Sequence, residues 1–168
     1  MKKILVSFAS LAVTCVMLLA AALSAGAQEA GWKQLDEARL SVDKSSLTRE
    51  AKLDILTKAD RAVNAGIPPE DVAVIIARGL KEGVESAKIS GFLETAARVK
   101  EQNLPARLVL DRIEQGLSKG VPAERIAAVV QGLAGKLAAA RPIVNTLVEA
   151  QRKAIIGSLD IVFGEIDR

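Results

Sequence analysis

From residue 47 onward, apolar side chains recur every three to four positions. Ile126, Val129, Val130, Leu133 and Leu137 fall at i, i+3, i+4, i+7 and i+11, a spacing that gathers side chains on one face of an α-helix. Val72, Ile75, Ile76 and Leu80 repeat the pattern, as do Ile89, Phe92, Leu93 and Ala96, and Ile55, Leu56, Ala59, Ala62 and Val63. No stretch sustains the period-two alternation of a strand. The spacing predicts an all-α protein with helices near 47–65, 68–82, 85–102, 105–119, 122–140 and 142–163, and a shorter one around Trp32 to Leu40.

Between these stripes the chain repeats one phrase. Gly66-Ile67-Pro68, Asn103-Leu104-Pro105 and Gly120-Val121-Pro122 each place a residue tolerant of left-handed backbone before an apolar residue and a proline. Gly83-Val84-Glu85 is a proline-free version. A left-handed residue ends a helix, the apolar residue after it folds back on the last turn, and proline cannot continue the helix. Proline is also suited to the first position of the next helix, where a missing N–H costs nothing. Each phrase is therefore a stop and a start compressed into three residues.

The phrases are periodic. Pro68, Pro105 and Pro142 are each 37 residues apart, and Leu80 and Leu117 share that offset. Units 67–103 and 104–140 align without a gap, 47–66 matches the second half of a unit, and a further unit opens at Arg141 and stays incomplete. Such a fixed period marks repeated supersecondary units. Two-residue connections force neighbouring helices into antiparallel or sharply angled hairpins. Tandem hairpins make either a short right-handed α-α superhelical stack or a compact helical bundle. Gly79 and Gly116 also recur at the period, which predicts either a close helix crossing or an early stop at those positions.

At Gly116 to Leu133, GLSKGVPAERIAAVVQGL, the chain resembles uncharacterised exported bacterial proteins built from repeated GLxxGVPxExI helical turns. The resemblance covers roughly 47–140 and implies export and helical repeats. It carries no activity and no functional residue. The period and the empty aromatic positions separate it from tetratricopeptide arrays.

The amino terminus adds a compartment. A basic start, Met1-Lys2-Lys3, precedes an apolar run from Ile4 to Leu23, and Ala25-Gly26-Ala27 supplies small residues for a signal peptidase. This is the plan of a secretory signal peptide with cleavage after Ala27, an uncleaved anchor being the rival reading. The expected organisation is a leader over 1–27, a charged lead-in over 28–46 and one helical domain over 47–168. The location is then periplasmic or secreted. The formal charge of +3 shrinks accordingly: loss of Lys2 and Lys3 leaves 21 of the 23 basic residues against 20 acidic ones. Such a balance gives no reason to expect a nucleic-acid partner.

The same removal thins the chemistry. The chain has no histidine or tyrosine, and its single cysteine, Cys15, sits in the leader. That leaves a mature chain without the commonest general base, the thiol nucleophile or the usual zinc ligands. Adjacent carboxylates such as Asp36-Glu37 and Glu70-Asp71 do not face each other on a helix. No phosphate-binding, dinucleotide or calcium motif is present. The reading is of a protein that is not an enzyme and takes no cofactor or metal.

Two stretches invite an interaction. Ala154 to Ile166 is more apolar than a terminal surface helix needs, and Ile155, Ile156, Leu159, Val162, Phe163 and Ile166 form its candidate docking surface. They either cap the open end of the last repeat or dock on a partner, on another copy or on a membrane surface. Trp32 is expected to anchor against the first helical pair by burying its ring, a ligand platform being the rival reading. The expected function is an interaction or scaffold module of the bacterial envelope that engages a protein partner. The alternative is a periplasmic carrier or chaperone holding lipid, an apolar ligand or unfolded protein between alanine-rich helices.

Overall fold

The computed structural model describes the backbone of residues 29–166 and the side chains of 29–151; the expected leader lies outside the described residues. Among the described residues there are six helices and no strand. Helix α1 spans 29–44. It is followed by α2 (Arg49–Asn64), α3 (Pro69–Lys81), α4 (Ser86–Glu101), α5 (Ala106–Ser118) and α6 (Ala123–Ile166). They pack as antiparallel hairpins in a compact bundle rather than an open superhelix. Helix α4 lies at its centre, against α2, α3, α5 and α6.

Each predicted stop has the same geometry. Gly66, Gly83, Asn103 and Gly120 all have positive φ, at 94°, 66°, 56° and 63°. Behind them, the amides of Ile67, Val84, Leu104 and Val121 donate to the carbonyls of Ala62, Gly79, Val99 and Gly116 at 2.9–3.0 Å. The left-handed residues themselves donate to Val63, Leu80, Lys100 and Leu117. This paired six-to-one and five-to-two bonding satisfies carbonyls that a helix end otherwise orphans. Ile67 and Leu104, the apolar residues after the stop, are buried. Helix starts are set as locally: Thr48 Oγ1 accepts the Ala51 amide at 3.3 Å to cap α2, and Glu70 and Asp71 sit in the first turn of α3, where the helix dipole favours negative charge.

The periodic glycines are close crossings. A methyl group on Gly79 would come within 2.8 Å of Ile89 Cγ1, and one on Gly116 within 2.6 Å of Ile126 Cγ1. Both pairs are separated by the same repeat length, so one hairpin contact is written twice. Their side-chain-free surface lets the first helix of each hairpin sit against the second.

Three sequence expectations change. Helix α1 is longer than the Trp32–Leu40 segment and is part of the core: Leu35, Ala38 and Val42, at i, i+3 and i+7, are buried. Its many charges reflect a wide solvated face rather than a loose lead-in. Trp32 does not anchor it, remaining 41% exposed while Gly31 is buried beside Glu70. The largest difference is at Pro142. A new helix is expected there, yet α6 runs unbroken through it. Ala140-Arg141 occupies the place of Asn103-Leu104. Alanine resists the left-handed conformation, and a charged arginine offers no apolar cover for the last turn. Pro142 alone removes one backbone donor, and the Thr146 hydroxyl donates to its carbonyl at 2.9 Å within the continuing helix.

Candidate interaction surface

The continuity of α6 creates an exposed apolar surface. Its first part is held in the bundle by Ile126, Val130 and Ala134, which are buried. Every described residue from Ala138 to Gln151 is exposed. Among them Ile143 (64%), Val144 (53%), Leu147 (65%) and Val148 (55%) fall at i, i+1, i+4 and i+5, one face of the helix. Continuing the helical register, Val144 and Val148 extend the face that carries Ile126, Val130 and Leu137. The same seam is core as far as Ala134 and exposed at Val144 and Val148.

Where α6 leaves the bundle it overhangs the α4–α5 junction. Asn103, Leu104, Pro105, Leu137, Ala140 and Val144 line a mostly apolar groove of about 360 Å³ there. A second groove, of about 190 Å³, lies at the end of the bundle between α5 and α6, with Gly116, Val121, Ile126 and Val129 on its walls and Arg112 and Arg125 at its rim. Leu108 on α5 is 48% exposed. The candidate docking residues Ile155, Ile156, Leu159, Val162, Phe163 and Ile166 belong to the continuing helix, and their side chains lie outside the described residues.

Charged groups elsewhere serve the packing. Arg61 of α2 forms a two-pronged bond to Glu101 of α4, both contacts at 2.9 Å, and Lys58 reaches Glu94 at 3.1 Å. The hydrogen bond from Arg61 holds the Glu101 carboxyl below its usual range. Arg107 of α5 spans Asp71 of α3 at 3.0 Å and Asp111 of its own helix at 2.8 Å. Burial pushes the Asp71 carboxyl up, against the pull of Arg107. Most of these pairs join neighbouring helices, with Asp71 their most buried member. Arg78 donates to Ser118 Oγ and pairs with Glu114 at 3.4 Å, so the GLSKG stretch is occupied with holding α3 to α5.

Among the described residues no three or more His, Cys, Asp or Glu side chains gather as metal ligands. No described helix is long and apolar enough to cross a membrane. The Ser90 hydroxyl on α4 is buried without a hydrogen-bond partner. The chain matches no protein-family model, no curated protein and no solved structure.

The exposed residues Ile143, Val144, Leu147 and Val148 escaped the sequence reading because the period assigned them to a helix folded back on the bundle. The signal that identifies them is the missing left-handed residue at position 140.

Proposed function

We propose that this protein is an exported, non-enzymatic interaction module of the bacterial envelope, which presents the projecting half of α6 to a protein partner. The observation that carries this reading is the apolar face of Ile143, Val144, Leu147 and Val148, continuous in register with the core seam and exposed among the described residues. Exposed contiguous apolar surface is costly in water and marks interaction sites. The bundle supports the projection, since α6 is rooted on α4 and α5 by its buried first part.

The test is crosslinking in cells, followed by capture of the tagged chain expressed from its full-length sequence. Proteins and lipids recovered with it are both identified by mass spectrometry. One dominant protein is expected, and Leu147→Asp should abolish its recovery while leaving the helical circular dichroism unchanged. Recovery of lipid, or of a broad set of unfolded envelope proteins, would replace the reading with a carrier or chaperone.

A further inference from the structure

The contact between α3 and α5 has an unpaired continuation one repeat further along the chain. Asp71 meets Arg107, and Arg107 meets Asp111. Advancing each by the 37-residue period gives Leu108, Val144 and Val148, all about half exposed. Arg78 with Glu114 becomes Gln115 with Gln151 by the same step. Both members of each pair change together. An acid–base pair becomes an apolar pair, and a second becomes a pair of amides, so each shifted contact is still chemically matched.

The shifted surface is also shaped to receive a helix. The end groove of Gly116, Val121, Ile126 and Val129 lies one period on from Gly79, Val84, Ile89 and Phe92. Those residues belong to the α3–α4 hairpin on which α5 and α6 pack. Phe92 is 2% exposed and its counterpart Val129 is 52% exposed, which measures what the following hairpin contributes and the last one lacks. A segment with the matching register exists: Pro142 stands where Pro105 precedes α5. In its own chain that segment is carried away, because Ala140 does not make the turn that Asn103 makes. At 1.5 Å per residue, 141–166 extends roughly 39 Å from the bundle.

We propose that the segment beginning at Pro142 docks on the α5–α6 end face of a second copy of this chain, in the register of a further repeat, giving a two-fold exchanged dimer. The proposal rests on the interaction-module reading and names its partner. Each copy donates one helix and receives one, so a single contact is made twice. Loss of a turn in the hinge is the usual route to such exchange, since the element that cannot fold back finds the same surface on a neighbour. Val144 and Val148 then meet Leu108, and Val129 is covered.

The experiment uses chains expressed from the full-length sequence carrying Cys15→Ser, so that introduced cysteines are the only ones. Light scattering is expected to give twice the chain mass at micromolar concentration. Co-expressing Leu108→Cys and Val144→Cys chains with different tags should yield a disulfide between the two tags. Val144→Arg should weaken the dimer by about tenfold or more, as expected for a charge placed in an apolar contact. Adding Leu108→Asp should restore it by rewriting the Asp71–Arg107 pair at the new position. Ala140→Gly with Arg141→Val writes the stop phrase before Pro142 and should shift the population to monomer. A monomeric mass, a dimer indifferent to Val144→Arg, or a disulfide formed only within one chain carrying both cysteines would each overturn the proposal. A monomer that still captures a protein through Leu147 removes this inference and leaves the interaction module standing. A monomer that captures nothing removes both.

Discussion

Residues 103–105 and 140–142 hold the same place in successive repeats, and the chain does opposite things there. At Asn103 the backbone turns left-handed, Leu104 tucks against the end of α4, and α5 starts back across the bundle. At Ala140 the helix goes on, and the described residues beyond it, as far as Gln151, are exposed. Both sites keep their proline. Proline therefore does not make the turn in this protein. The turn needs a residue at ease in the left-handed region and an apolar residue to fold over the last turn, and proline only opens the helix that follows.

The left-handed requirement can be tested at Gly120. With φ at 63° and open space around it, Gly120→Val should destabilise the protein by about 1–3 kcal/mol through backbone conformation alone. Ala140→Val, in an exposed helical position, should cost only about 0.5 kcal/mol in helix propensity. Urea melts of the two variants read the contrast directly. Equal midpoints would mean that position 120 is not held left-handed.

A smaller effect separates the paired and unpaired versions of the α3–α5 contact. Arg107→Ala leaves Asp71, whose side chain is only 16% exposed, without its partner, and should cost about 1–2 kcal/mol. Asp71→Leu combined with Arg107→Val reproduces the Leu108–Val144 pairing inside the bundle and should recover most of that loss, because replacing both ions removes the desolvation that the pair must offset. If the double variant melts below Arg107→Ala, apolar residues do not substitute for ions at this repeat position.

A third contrast concerns the helical glycines. Gly116→Ala forces a methyl against Ile126, and the overpacking cost of about 1–3 kcal/mol outweighs a gain of about 1 kcal/mol in helix propensity. Gly132→Ala meets nothing within 4 Å and should stabilise α6 by up to about 1 kcal/mol. Thermal melts should move in opposite directions. A stabilised Gly116→Ala would show that α5 and the start of α6 have room to separate.

Much of the architecture is legible in the amino-acid sequence. Apolar spacing located α2 to α5 to within two residues at each end, and the three-residue phrases identified all four left-handed stops. Helix α1 was harder to read, since Leu35, Ala38 and Val42 are spread among charges that composition alone assigns to solvent. At position 140 the local pattern misleads, because Pro142 keeps the period while the residue two places before it is alanine. The candidate surface expected at 155–166 has its side chains outside the described residues. The sequence pointed to 155–166, while the described exposed seam begins at Ile143, and its match with Leu108 emerges only once α3 is seen against α5.

Where helices stop and start can be read locally, because those events are settled by interactions within about six residues, through backbone conformation, capping bonds and one apolar fold-back. Tertiary structure alone decided which apolar faces are core. Phe92 and Val129 occupy the same position in the same repeated pattern, and one is buried while the other is exposed. Burial depends on whether another helix lies opposite, and that neighbour is supplied by a part of the chain, or by another chain, that no local pattern describes.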